Sequence, residues 1–265
     1  MKNIKLIKKL RKSTGLGIMT CKKVLNKYKG NIKEAINYLL NIYKIKSKEN
    51  IPNEGIIKIK VSKTLVLLMV ELNCETDFVS HDVNFIRFVN KIANKGLYTN
   101  QKTIIKLIHD KLETDRINLV TKLNENIIVR NLILLNFKNF KTNANTIGYY
   151  NHKNRIGSFV IITNCQVQIA KDIAMQIIAT NPTVIYIKAF ANEQIKKEKT
   201  FILSKIKHKP LKIINKIIKN KLLKYLKEKS LVNQLFIKDP KNKISNYLSQ
   251  NSKILKFFRF EIGKS

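Results

Sequence analysis

The chain has 265 residues, 44% of them hydrophobic, which excludes a disordered tail and suffices for one large or two modest domains with a real core. Its formal charge of +35, from 52 Lys and Arg against 17 Asp and Glu, favours anionic partners: nucleic acid, an acidic membrane face or an acidic protein. Three scattered cysteines (Cys21, Cys74, Cys165), odd in number and without a CxxC pair, argue against a disulfide framework or zinc site and for a reducing compartment. The type of cation qualifies the charge. Arginine occurs only at Arg11, Arg87, Arg116, Arg130, Arg155 and Arg259, and the other 46 basic residues are lysine. Forks that read bases and phosphates prefer arginine. Lysine spread over nearly every segment, beside abundant Ile and Asn, matches A/T-rich coding drift, with selection for nucleic acid as the other reading. The start of the chain, Met1-Lys2-Asn3-Ile4-Lys5, has no continuous apolar region of the secretory type, and the longest apolar run, residues 65–70, is too short for a bilayer. A soluble, cytoplasmic protein without a membrane partner is expected.

Residues 1 to about 45 read as three short helices. Ile4, Ile7 and Leu10 share a face of the first, which stops at Ser13-Thr14-Gly15. Thr20 can cap the second, with Val24, Leu25 and Tyr28 inward, and Gly30 closes it in a left-handed position. Asn31 with Glu34 is a capping-box variant opening the third, with Ile32, Ala35, Ile36, Leu39 and Leu40 inward. Residues 44–52 form a polar, charged linker. From Gly55 the period becomes two: Ile57, Ile59 and Val61 alternate with lysines, then residues 65–72 run almost continuously apolar, giving two antiparallel strands joined near Ser62-Lys63. A helix from Asp82 to about Gly96 follows, then helical patterns at 101–109 and 111–123 and a strand at 127–137, an α+β unit. After a loop at 138–145, strands are expected at 146–150 and 156–163. A helix at 166–180 stops at Asn181-Pro182, and a short strand spans 185–187. Residues 191–229 turn Lys-rich with helical spacing broken at Lys207-His208-Lys209-Pro210, the pattern of an antiparallel helical hairpin with Ile202 and Ile206 facing Ile213, Ile217 and Leu222 or Leu223. Strand character returns at 235–237 and 254–262 around a short helix at 244–248.

One stretch organises the rest: Glu71-Leu72-Asn73-Cys74-Glu75-Thr76-Asp77-Phe78-Val79-Ser80-His81-Asp82, between a buried strand and an amphipathic helix. Its residues alone allow two readings. Either Asp82 or Asp77 caps the helix and Phe78 staples it to the core, or a loop protrudes and offers Phe78 as a wedge to a partner. Signs of covalent chemistry are weak. His81, His109, His152 and His208 form no metal-spaced pair, and HExxH, GxSxG and glycine-rich dinucleotide turns do not occur. Gly263-Lys264-Ser265 imitates the end of a P-loop, but the earlier glycine falls at Phe258. A protein that acts by binding, without cofactor or metal, is the stronger class.

Several separated blocks resemble elongation factor Ts. Leu6 to Leu25 (LIKKLRKSTGLGIMTCKKVL) resembles the family's opening, Asn73 to Val79 (NCETDFV) its signature loop, and Leu123 to Leu132 (LNENIIVRNL) its Gly-Glu-Asn-Ile-x-Ile-Arg strand. GYYNHKNRIGSFVII and IAMQIIATNP resemble the start of its second core subdomain, and FFRFEIG its closing strand. The resemblance implies an α+β fold. It has a small three-helix, UBA-like module with linker at 1–52, a core subdomain with antiparallel sheet at 53–139, and a second at 140–265 with an antiparallel helical hairpin inserted at about 190–230. It also implies a guanine-nucleotide exchange factor for elongation factor Tu, GDP-bound and nucleotide-free. In that family the loop Thr76, Asp77, Phe78 and Val79 presses on the partner's nucleotide domain and disturbs the Mg²⁺ and phosphate site. Arg11, Ile18, Met19 and His152 are implied as further partner contacts, and the hairpin as a possible homodimer surface. Without the resemblance, Ile18 and Met19 read equally as packing between the first two helices, and His152 as an exposed loop residue. Longer members continue into a C-terminal helix that touches the partner; here the sequence stops at Ser265, so that contact is expected to be missing. An RNA- or ribosome-binding protein exploiting the charge is the alternative, and adventitious RNA binding is compatible with either.

Overall fold

The computed structural model describes residues 2–14, 18–35, 38, 52–62, 66–98, 111–136, 145–206 and 211–264. It is a mixed α+β chain with antiparallel sheets, in two compact units: Met1–Asn139 with Asn151–Gly157 and Phe260–Ser265, and Phe140–Tyr150 with Ser158–Arg259. The expected helix at 101–109, the hairpin break at 207–210, and most of the expected linker lie outside the described residues.

The first unit opens with helices α1 (Lys2–Thr14) and α2 (Ile18–Lys27), which bury Leu10, Cys21, Val24, Leu25 and Ala35 in a small shared cluster. Helix α2 begins at Ile18, so Thr20 lies inside it and caps nothing. Ile4 is exposed, because the cluster is too small to cover the outer end of the α1 stripe. The chain leaves α2 through a left-handed turn at Lys29 (φ 48°) and Gly30 (φ 87°), where Gly30 N donates to Leu25 O at 2.8 Å. Asn31 then opens a third helical stretch as expected: its Oδ1 accepts from Lys33 N and Glu34 N, and its amide donates to Glu34 Oε1 at 2.7 Å.

The sheet of this unit has the order β1 (Glu54–Val61), β2 (Val66–Cys74), β3 (Ile128–Asn136), antiparallel throughout. The β1–β2 turn closes where expected, with Ser62 N on Val66 O at 2.8 Å and Val66 N on Ser62 Oγ at 3.0 Å. All nine residues of β2 are buried, which is why the strand reads as a continuous apolar run and not as an alternation. Val66, Leu68, Val70, Leu72 and Cys74 join one core cluster with Phe85, Phe88, Val89 and Ile92 of helix α4 (Val83–Gly96) and with Leu112, Leu119 and Val120 of α5 (Lys111–Leu123). Each such side chain contributes on the order of 1.5–3 kcal/mol on burial. Between β2 and α4 lies a one-turn helix, α3 (Asp77–His81).

Asp82 separates α3 from α4. Its extended backbone (φ −65°, ψ 136°) ends one helix, and its Oδ1 caps the next by accepting from Asn84 N at 2.7 Å and Phe85 N at 3.2 Å. Burial pushes this carboxyl up, but the hydrogen bonds from Asn84 and Phe85 outweigh it and hold it below the ordinary aspartate value. A lowered folded value stabilises above the unfolded value and ceases to as the pH falls through the folded one. Asp82→Ala should therefore cost about 1 kcal/mol at neutral pH, and the gap to wild type should close on acidification below the ordinary carboxylate range. Urea midpoints at both pH values test this; equal midpoints at neutral pH would remove the cap's role.

The second unit carries most of the sheet β4 (Asn145–His152), β5 (Ile156–Thr163), β8 (Lys253–Glu261), ordered β4-β5-β8. Helix α6 (Val167–Thr180) packs Ala170, Ile173, Ala174 and Ile177 into its core. Strand β4 approaches α6 so closely at Gly148 that a Cβ there would lie 1.9 Å from Ala170 O, so only glycine fits. Helix α6 stops where Asn181 turns left-handed (φ 45°) ahead of Pro182. The strand expected at 185–187 does not form: Val184 makes a single bridge to Ser230, and Ile187–Ala189 is a 3₁₀ turn, because Ile185 and Tyr186 pack as isolated apolar residues on the core. Helices α7 (Asn192–Ser204) and α8 (Leu211–Lys229) bury Ile202 and Ile206 against Ile214 and Ile218, with Ile217 and Leu222 at the border; Leu223 faces outward. A small β6 (Leu235–Phe236), β7 (Asp239–Lys243) ladder follows, and β7 escapes a sequence reading because DPKNK has no apolar residue. Residues 244–247 form a 3₁₀ turn. The buried amides of Gln176 and Gln234 bond to each other at 3.1 Å and to Thr180, Leu235, Ile237 and Glu228, so none of this polar chemistry is left unpaired.

An exposed aromatic on an anchored acidic loop

The sequence Thr-Asp-Phe-Val-Ser-His folds into α3 because Thr76, extended at φ −121°, caps it with its hydroxyl accepting from Val79 N at 3.4 Å. Ser80 Oγ donates to Asp77 O at 2.7 Å, and His81 Nδ1 lies 2.8 Å from the same oxygen, which places the ring proton on Nδ1. One turn of helix has two sides. Val79 and Ser80 face the core, while Asp77, Phe78 and His81 face solvent. Phe78 is 84% exposed, against 0% for Phe85 seven residues later. The staple expected under the helix-start reading is therefore absent: α3 ends at the extended Asp82, and Phe78 lies on its solvent side.

The loop is acidic in a basic protein: Glu75, Asp77 and Asp82 fall within eight residues of a chain with 17 acids. It is also tied down. Glu125 Oε2 accepts from Glu75 N at 3.1 Å and Thr76 N at 3.0 Å, and its Oε1 accepts from Thr76 Oγ1 at 2.5 Å. Reciprocally, Glu75 Oε1 accepts from Asn126 N at 3.1 Å. Cys74 Sγ donates to Thr76 O at 3.2 Å. Burial pushes the Cys74 thiol up to about 12, helped by the charges of Glu125, Glu54 and Asp77 and opposed by Arg155. It stays protonated and unreactive at neutral pH. Arg155 pairs with both oxygens of Glu54; that hydrogen bond raises Arg155 further and lowers Glu54, and Arg155 also feels Asp77.

The expected site residues lie in four places: the loop, the start of α2, the β4–β5 turn and α1. Asp77 and Phe78 project outward, whereas Val79 is 8% exposed in the core and Thr76 is held by Glu125. Ile18 and Met19, at the start of α2, are 53% and 65% exposed, so they do not pack between the first two helices. His152 is exposed at the β4–β5 turn, where His152 O accepts from Arg155 N at 3.0 Å and Lys153 and Asn154 are left-handed (φ 50° and 58°), a two-residue hairpin of the primed type. Arg11 lies on α1, but its side chain is outside the described residues. Glu125 is the functional candidate that a reading of the loop by itself misses; its only sequence signal is its place in the LNENIIVRNL block.

An acidic loop pinned at its root, with one large aromatic side chain held out in water, is the arrangement expected of a binding protein that offers a rigid anchor to a macromolecular partner. Groups of three or more His, Cys, Asp and Glu placed to hold a metal are absent among the described residues. The chain belongs to the elongation factor Ts family. A family model described as Elongation factor TS matches residues 75–264. Elongation factor Ts of Saccharophagus degradans is 35% identical over 267 residues, covering 98% of this chain and 90% of its own. That of Marinobacter nauticus is 35% identical with the same coverage, and that of Vesicomyosocius okutanii is 36% identical over 274 residues, 98% of this chain and 92% of its own.

Proposed function

We infer that the protein is a translation elongation factor that promotes guanine-nucleotide exchange on elongation factor Tu, and that Phe78 is the group through which it does so. The observation that carries this is Phe78 itself, 84% exposed on an anchored turn in a chain of this family. Phe78 enters an apolar cleft between helices of the partner's nucleotide domain, with Asp77 beside it, and the elements that hold Mg²⁺ and the β-phosphate shift so that GDP leaves. The protein forms and breaks no covalent bond in this process. Exchange factor and nucleotide bind with negative coupling, each weakening the other by the same free energy, typically about 1–3 kcal/mol. The coupling exists only because the factor's contacts are better made to the nucleotide-free partner. Ile18 and Met19 supply a second apolar contact, with Arg11 and His152 as polar ones.

The finer architecture belongs to the same proposal. It comprises a UBA-like helical module at 1–52, core subdomains at 53–139 and 140–265, and α7 with α8 as an inserted antiparallel hairpin. Phe201, Leu203 and Leu223, large apolar residues exposed on these two helices, support the hairpin as a surface for self-association or partner contact. No helix among the described residues is long and apolar enough to cross a membrane, and a cytoplasmic location suits a translation factor.

The charge of +35 favours a second reading, in which RNA or the ribosome is the target. Release of fluorescent GDP from elongation factor Tu, followed over a salt series, separates the two. Exchange through an anchored aromatic should persist at moderate salt, with a slower encounter step. RNA binding should collapse over the same range. No acceleration of GDP release at any salt, with tight salt-sensitive RNA binding, would overturn the exchange reading.

A further inference from the structure

We infer that Glu125 is the positioning residue of the exchange loop: its carboxylate sets the height and direction of Phe78 by clamping the backbone at Glu75 and Thr76. This rests on reading that loop as the exchange element. Three donors converge on the two oxygens of Glu125, the amides of Glu75 and Thr76 and the hydroxyl of Thr76, at 3.1, 3.0 and 2.5 Å. Hydrogen bonds to an ionised acceptor are the strong kind, and three on one carboxylate leave it little freedom. The turn carrying Glu125 is itself fixed. Asn124 adopts a left-handed conformation (φ 57°) with its amide on Val120 O at 2.8 Å. The buried Arg116 donates to Ile127 O at 2.6 Å while pairing with both oxygens of Glu113 at 2.7 and 2.8 Å. Asn126 N closes the ring by donating to Glu75 Oε1.

The clamp therefore runs from the rigid α5–β3 junction, through Glu125, to the residue that caps α3. Thr76 hands the position on, because the hydroxyl that Glu125 holds is the one that accepts from Val79 N at the start of the turn bearing Phe78. Phe78 gains no support from the core, being 84% exposed, so its placement comes from the turn beneath it. An aromatic anchor works only when presented within a fraction of an ångström of its cleft. Freeing the root of a five-residue turn spreads the ring over many orientations, and most of them miss.

The chain contains no tryptophan, so Phe78→Trp places a single indole, excitable apart from the tyrosines, on the loop tip. In the free protein, Phe78→Trp should show high residual anisotropy that drops when Glu125→Ala is added, with unchanged far-UV circular dichroism. With Phe78 restored, Glu125→Ala should slow GDP release from elongation factor Tu at least tenfold. In a Phe78→Ala background the same change should cost much less than it does in wild type, because Glu125 acts mainly through the ring. Glu125→Gln, which keeps the shape and leaves the Thr76 cap in place but removes the charge and one acceptor oxygen, should fall between wild type and Glu125→Ala, and serves as the test if Glu125→Ala does not fold. Wild-type exchange by Glu125→Ala, an equal further loss in the Phe78→Ala background, or unchanged anisotropy would each overturn the clamp. If wild type itself fails to release GDP, the exchange reading falls, and the anisotropy pair still decides whether Glu125 holds the loop.

Discussion

Replacing Phe78 with alanine should slow factor-stimulated GDP release by roughly 30-fold or more, while the free protein keeps its stability to within about 0.5 kcal/mol. Truncating a central aromatic at an interface costs about 2 kcal/mol or more, and every 1.4 kcal/mol is about tenfold. Stability is untouched because a side chain 84% exposed has little burial to lose. Adding Asp77→Ala removes the neighbouring charge and should bring release close to the spontaneous rate. Stopped-flow release of fluorescent GDP, with urea unfolding as the control, measures both. Release at the wild-type rate by the double variant would mean that the loop is not the exchange element. Loss of stability in step with activity would mean that Phe78 supports the fold.

Phe85→Ala should do the opposite. Phe85 is completely buried among the cluster formed by β2, α4 and α5, and deleting a buried phenyl ring costs about 3–5 kcal/mol. Against a typical total of about 5–15 kcal/mol, that is a large share. The variant should show a strongly lowered urea midpoint, and at temperatures where the first unit still folds it should retain measurable exchange. A change under about 1 kcal/mol would contradict the packing of α4 on β2. The two phenylalanines lie seven residues apart on one continuous segment, and their contrasting behaviour separates presentation from support.

Much of this contrast was legible before any coordinates. The spacing of Phe85, Phe88, Val89 and Ile92 assigns a helix and its inner face, since a 3.6-residue period leaves one side for the core. The Asp82 cap, the Asn31–Glu34 box, the stop at Asn181-Pro182 and the continuous apolar run of β2 each follow from chemistry within a few residues of the feature. Family membership was legible too, from blocks of sequence spread over most of the chain. Two features were not: the DPKNK strand, which has no large apolar residue and is held by ladder bonds and the hydrogen bonds of Asp239, and residues 185–187, whose apolar run reads as a strand but packs on the core without pairing as one.

The sequence by itself determined that residues 71–82 hold an acid and an aromatic between a buried strand and a helix, but left Phe78 free to be staple or wedge. Local propensity cannot decide that question, because both readings use the same cap and the same turn. The tertiary structure rules out the staple: α3 turns Val79 and Ser80 inward, and Phe78 is left in water. Ile18 and Met19 were open in the same way, and the small N-terminal cluster, filled by Leu10, Cys21, Val24 and Leu25, has no place for them. Glu125 lies fifty residues from Glu75 along the chain, and only the pairing of β3 with β2 brings its carboxylate beneath the loop. Contacts across such a separation depend on sheet register, which belongs to the folded chain as a whole and to no segment of it.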